Sequence, residues 1–144
     1  MDEIDKKIVS LLQEDARMTI KEMTEHLHLS RPSVTERLKR LHDAGIIEKY
    51  TARISLDAVG KDIQAFLRIE NLKIACKKFE EKIYNEHRIL ECHRVTGESS
   101  YYLKVAVQSM KELEELIDVV IPFGTVKTSM ILSSPIPYRP VIVE

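Results

Sequence analysis

Between His28 and Arg40 stand four cations, Arg31, Arg37, Lys39 and Arg40, against one acid, Glu36. Hydroxyls are interleaved with them at Ser30, Ser33 and Thr35. Guanidinium and ammonium groups bind phosphate, while short hydroxyls and a carboxylate can lie against base edges. That mixture, at this spacing, is the chemistry of a helix that reads DNA. The rest of the chain is balanced: the formal net charge of 144 residues is −1, and residues 1–50 carry nine Lys/Arg and ten Asp/Glu. A sequence-blind DNA coat needs a general excess of positive charge, so any DNA contact here must come from this local patch.

Placed on a wheel of 3.6 residues per turn, Val34, Leu38 and Leu41 set the inward direction. Pro32, Glu36, Lys39 and Arg40 then point outward, with Ser33 and Thr35 on the flanks. Glu36 could accept from a cytosine amino group. Arg31, Lys39 and Arg40 suit phosphates, or guanine if they turn inward. Arg37 lies nearer the apolar edge, where an acid of the first helix could pair with it. The alternative is an ordinary solvated helix face. The candidate DNA-binding set is thus Ser30, Arg31, Ser33, Thr35, Glu36, Arg37, Lys39 and Arg40.

Other reactive residues point nowhere in particular. Cys92 and His93 are neighbours on a β-like segment, so their side chains leave opposite faces and do not share a metal. No ligand spacing, phosphate loop or nucleophile–base pair is visible. We expect no enzyme activity, no cofactor and no metal. Tyr101 and Tyr102 also face opposite ways, one into a core and one toward an interface.

Three short helices must position the basic cluster. Ile4, Ile8, Leu11 and Leu12 form the apolar stripe of the first, with Asp2 or Asp5 as its cap. Thr19-Ile20-Lys21-Glu22 is a capping box opening the second, whose inward positions are Ile20, Met23 and Leu27. After the break His28-Leu29-Ser30, the third starts at Ser30 with Pro32 in its first turn, or a turn later at Ser33-x-x-Glu36. Gly45 stops it. Two helices joined by about three residues, the second one basic, is the helix-turn-helix pattern.

Tyr50, Ala52, Ile54 and Leu56 alternate weakly and could form a strand, and Asp57 to Asp62 read as a turn region. From Ile63 the pattern is β-α-β-β-α-β. Strands fall around Ile63–Ile69, Ile89–Thr96, Tyr101–Val107 and Val126–Leu132, with a turn at Gly97–Ser100. Helices carry Ala75, Phe79 and Ile83, then Met110, Leu113, Ile117, Val120 and Ile121 behind a Ser109 cap. This is the ferredoxin-like split βαβ order. The expected class is α+β: a helix-turn-helix (winged-helix-like) domain at 1–50, a connecting strand or hinge at 51–62, a ferredoxin-like domain at 63–134, and a Pro-rich arm at 135–144. Each part is near the lower size limit for a self-sufficient core, which favours oligomerisation. No apolar run reaches a membrane span and the start, MDEIDKK, lacks an apolar export signal. Two cysteines do not make a disulfide framework, so a cytoplasmic protein is expected.

"IDKKIVSLLQEDAR", "LSRPSVTERLKRLHDAGIIEKYTA" and "ECHRVTGESSYYLKV" together resemble the Lrp/AsnC, or feast/famine, family of transcription regulators. The likeness runs from about Ile4 to Leu132 in the family's order. It implies a nucleoid-associated regulator of double-stranded DNA that forms homodimers through the ferredoxin-like domains, and tetramers or octamers beyond. It also implies an amino-acid or related effector bound near the turn Gly97-Glu98-Ser99-Ser100. The family pattern there is Gly-Asp-x-Asp; this chain has Glu98 as the first acid and Ser100 in place of the second. Ser100 offers an ammonium group only a neutral hydrogen bond, weaker than a carboxylate's. Arg94 stands where the family has an apolar residue, and can attract a carboxylate or oppose an ammonium. The candidate effector set is Arg94, Gly97, Glu98, Ser99 and Ser100. A mainly architectural DNA-wrapping protein with little effector response is the second reading, and a metabolite-binding or catalytic α+β domain with a vestigial helical module the third.

Overall fold

The computed structural model describes residues 1–143, which fall into two compact units. Met1–Arg53 forms the first together with the arm from Ile136, and Ile54–Pro135 forms the second.

The first unit holds α1 (Glu3–Glu14), α2 (Ile20–Leu27) and α3 (Arg31–Asp43). Each opens on a side-chain cap that satisfies an otherwise orphaned backbone N–H. Asp2 caps α1 by accepting from the Asp5 N–H at 2.9 Å, and Asp5 accepts from the Asp2 N–H in return at 3.1 Å. Thr19 and Glu22 form the expected capping box on α2. Ser30 caps α3, accepting from the Ser33 N–H at 3.4 Å, so the earlier of the two possible starts is the real one. Between α2 and α3, His28 closes α2 with a left-handed backbone, φ 54°. Gly45 ends α3 at φ 69°, a conformation that costs glycine nothing.

A small core sits where the helices meet. Ile8, Val9 and Leu41 are buried together, with Ile4, Leu12, Leu27, Leu38, Ile47 and Val143 packed around them. Met23 and Val34 are buried as well. Val9, not Leu11, completes the inward stripe of α1. Val143 belongs to the arm, which is held along α1 by two hydrogen bonds. The Gln13 amide donates to the Val141 carbonyl at 2.9 Å and accepts from the Val141 N–H at 2.8 Å. Arg53 lies over the Tyr138 ring at 5.0 Å. Tyr50 to Leu56 is not a strand, contrary to the alternation. A lone extended segment has no ladder partner for its backbone groups, and none of the four strands among the described residues pairs with it. A 3-10 turn at Asp57–Val59 follows it.

The second unit is a sheet with two helices: β1 (Ile63–Glu70), α4 (Cys76–Ile83), β2 (Ile89–Arg94), β3 (Ser99–Val107), α5 (Met110–Val120) and β4 (Thr125–Met130). The strand order is β2-β3-β1-β4, with every neighbouring pair antiparallel, as the ferredoxin-like order requires. Alternation decides the face. Tyr101, Leu103, Val105 and Val107 of β3, with Ala65, Leu67 and Ile69 of β1, bury against Phe79 and Ile83 of α4 and Leu113, Leu116 and Val120 of α5. Phe79 stacks at a tilt on Tyr101, ring centroids 4.8 Å apart, and meets Phe123 edge-on at 6.0 Å. Gly124 lies against β1, where an added Cβ would stand 2.7 Å from the Glu70 carbonyl oxygen. No helix among the described residues is long and apolar enough to cross a membrane.

Candidate nucleic-acid interface and sensing turn

α3 is held by its apolar face and by a salt-bridge cluster on one flank. Val34 and Leu41 are buried and Leu38 is half-buried. On the opposite side Ser30, Arg31, Thr35, Glu36, Lys39 and Arg40 are exposed, with Ser33 half-buried. The Thr35 hydroxyl donates to the Arg31 carbonyl at 2.9 Å, so its remaining capacity toward a base is as an acceptor.

Arg37, grouped above with the DNA-facing residues, turns toward α1. Its Nη1 donates to Asp2 Oδ2 at 2.6 Å and to Asp5 Oδ1 at 2.7 Å. Arg40 reaches the same acid: its Nη2 donates to both Asp5 oxygens, at 3.0 and 2.9 Å. The expected pairing of Arg37 with an acid of the first helix is therefore present, and the bond from Arg40 to Asp5 adds to it. Asp5 is buried, and burial alone would push its carboxyl up. The bonds from Arg37 and the Asp2 backbone outweigh that and hold it below the usual carboxylate value. Asp2 is held down at about 2, first by its hydrogen bond from Arg37. The sequence names Asp2 and Asp5 as capping residues and leaves open which acid of the first helix meets Arg37; both do.

In the sheet unit the turn between β2 and β3 carries Gly97 at φ 107°, with Glu98 exposed beside it. Ser99 and Ser100 already belong to β3, so the turn is one residue pair shorter than the expected Gly97–Ser100. The Val95 N–H donates to the Ser100 carbonyl at 3.1 Å and closes it. Ser99 is buried, and its hydroxyl lies 3.5 Å from Glu70 Oε1. Glu70 in turn pairs with Lys127 at 2.8 Å, the contact that chiefly holds its carboxyl low. Sequence reasoning missed Glu70 and Lys127, which come from other strands and join the turn only through the sheet register. Arg94 faces elsewhere. It lines an open cavity of about 420 Å³ with Glu80, Ile83, Cys92 and Tyr101, between α4 and β2. There the Tyr101 hydroxyl donates to Glu80 Oε1 at 2.6 Å, and burial pushes the Cys92 thiol up. Arg94 pairs with Tyr101 in the sheet register, next to the turn, and makes no side-chain hydrogen bond to it among the described residues. No group of three His, Cys, Asp or Glu among the described residues is arranged to hold a metal ion.

Both units have counterparts among known proteins. Residues 1–48 match the winged helix-turn-helix DNA-binding model, and residues 64–141 match the Lrp/AsnC ligand binding domain. The chain is 36% identical over 134 residues to the uncharacterized HTH-type transcriptional regulator YezC of Bacillus subtilis (strain 168), covering 93% of this chain and 95% of the relative. The structure of B. subtilis LrpC is similar with a TM-score of 0.90 at 28% identity, covering 96% of this chain and 99% of that one. A feast or famine regulatory protein from M. tuberculosis, complexed with L-methionine, is similar with a TM-score of 0.90 at 31% identity, covering 99% of both chains. The chain belongs to the Lrp/AsnC family of helix-turn-helix transcription regulators, which are DNA-binding proteins and not enzymes.

Proposed function

We propose that α3 enters the major groove of double-stranded DNA, with Ser33, Thr35 and Glu36 toward base edges. Arg31, Lys39 and Arg40 lie toward phosphates, Ser30 sits at the helix N-terminus where an anion is favoured, and Arg37 anchors the helix from behind. The observation that carries this is the outer face of α3: Arg31 and Lys39 are exposed, and neither takes part in an ion pair among the described residues. The protein acts as a homodimer, and as tetramers or octamers, on nucleoid DNA in the cytoplasm. Residues 51–62 serve as the connection between a DNA-reading and a sensing domain. An amino acid or related metabolite binds around Gly97, Glu98, Ser99, Ser100 and Arg94, and the methionine complex of the similar M. tuberculosis protein supports that class of ligand.

A gel shift on DNA from upstream of the protein's own gene, with random DNA as competitor, tests the DNA half. A discrete series that survives competition is expected, and each of Arg31→Ala and Lys39→Ala should flatten the dependence of log K on log salt by about 0.9. Unchanged affinity and slope in both variants would remove this face from DNA. Ser100, lacking the second carboxylate, favours an architectural protein with little effector response as the second reading. Calorimetry with methionine and leucine separates them: binding coupled to altered assembly supports sensing, and no heat with either supports the architectural reading.

A further inference from the structure

Arg40 is bound to Asp5 in an unusual economy of donors. Both hydrogen bonds leave from one nitrogen, Nη2, and end on the two carboxylate oxygens. A guanidinium carries five N–H donors in a rigid plane, so the groups on Nη1 and Nε remain for another acceptor. The Arg40 side chain is 58% exposed, whereas that of Asp5 is 3% exposed. The acid is fixed from three sides: it caps back to Asp2, takes Arg37 at 2.7 Å, and takes Arg40. Asp5 is thus a rigid, buried post, and Arg40 is an exposed fork tied to it by one tine.

We propose that Asp5 is a specificity-determining positioning residue: it holds Arg40 so that its free N–H groups meet a DNA phosphate in only one register. This rests on the reading that Arg40 faces DNA. A mobile guanidinium follows any phosphate and helps every sequence alike, because the phosphate term carries no sequence information. A tethered one helps only where the backbone passes the fixed point. It also loses less side-chain freedom on binding, since the folded protein has already ordered it. Specific complexes therefore gain from Arg40 and random ones gain little. The direction of the effect is what sets Asp5 apart from a merely structural residue. Loss of fold lowers affinity for all DNA together, whereas loss of tethering lowers it for one class.

Fluorescence anisotropy against the upstream DNA and a random duplex, across a salt series, tests this in the full-length chain. Asp5→Asn should weaken specific binding by roughly tenfold, the scale of one charge-assisted hydrogen bond, and change random binding by less than about twofold. Equal loss on both duplexes, or loss on neither, would overturn the proposal. Arg40→Lys covers the case in which Asp5→Asn does not fold. The charge stays, but an ammonium lacks a fork that spans post and phosphate, so specific affinity should fall by more than random affinity. A fully specific Arg40→Lys protein would overturn it. Arg40→Ala separates this idea from its premise. If Arg40→Ala leaves both duplexes unaffected, the placement of Arg40 on DNA is wrong. If Arg40→Ala weakens both while the two conservative variants are harmless, only the positioning role is wrong.

Discussion

The two units are built on different forces. The sheet unit joins twelve buried apolar side chains in one cluster; of its two helices α5 is capped by Ser109, while α4 has no side-chain cap and is held by packing. The helical unit joins three, Ile8, Val9 and Leu41, and surrounds them with half-buried neighbours. It adds directional contacts: caps on all three helices, the Asp2–Asp5–Arg37–Arg40 cluster, and an arm from the far end of the chain. A unit this small buries too little apolar surface to be firm on packing alone. Polar contacts also fix orientation more narrowly than packing does, and a reading helix needs its orientation fixed. The units should therefore fail under different insults.

The largest expected effect is in the apolar core. Phe79 is fully buried and touches Tyr101 and Phe123, so Phe79→Ala should destabilise the sheet unit by about 3–5 kcal/mol. Thermal melts followed by amide NMR should show the sheet resonances lost first, with the pattern of residues 1–50 retained. Simultaneous loss of both sets would mean that the units fold as one.

Acid should reverse that order, with a smaller effect. Asp2 is held at about 2 and Asp5 below the usual 3.8, both largely by Arg37. A carboxylate whose folded value is depressed stabilises fully above its unfolded value, and the contribution fades as pH falls through the folded one. The helical unit should thus loosen as pH falls from about 4 toward 2. In the sheet unit Glu70, Glu86 and Glu91 are also held low, by Lys127, Arg88 and Lys104, but they lie around an apolar core with no carboxylate in it. Amide exchange between pH 5 and pH 2 should open residues 1–50 first. Earlier opening of the sheet would show that its peripheral pairs matter more than its core.

What was legible in the sequence follows the same division. Period-two and period-3.6 patterns are read by counting, so the sheet unit was found strand by strand. The misses are local: Leu116 of α5 is fully buried although the inward positions read for that helix passed over it, and Ile121 is about half exposed because the helix has already given way to a 3-10 turn. The Thr19–Glu22 capping box was equally legible, since cap and partner are three residues apart, whereas Ser33 and Glu36 have the same spacing and lie inside α3. Contacts between distant residues were not. Glu70 beside Ser99 depends on sheet register, and the bond from Arg40 to Asp5 on how α1 crosses α3. Tyr50–Leu56 misled for the opposite reason. Alternation shows that a segment can pair, and says nothing of whether an edge is there to receive it.

The arm gives the mildest and most selective test of the contrast. Its residues follow Pro135, in chain order a continuation of the sheet unit, yet they pack in the helical one. Gln13 meets the Val141 backbone as a neighbouring strand would, with one donor and one acceptor, and Val143 adds apolar contact beside Ile8 and Leu41. Two exposed hydrogen bonds and one partly buried valine amount to about 1–2 kcal/mol. Ending the chain at Pro135 should lower the stability of the helical unit by that much and leave the sheet unit unchanged, as read by amide exchange. Gln13→Ala in the full chain should reproduce roughly half of the loss, since it removes the hydrogen bonds and spares Val143. A peptide of residues 136–144 added to the truncated chain should restore protection in α1, because the receiving surface is made wholly by the first unit. If truncation destabilised the sheet and spared α1, the arm would belong to the packing economy of the second unit, and the small core of the first would have to stand on its caps and ion pairs alone.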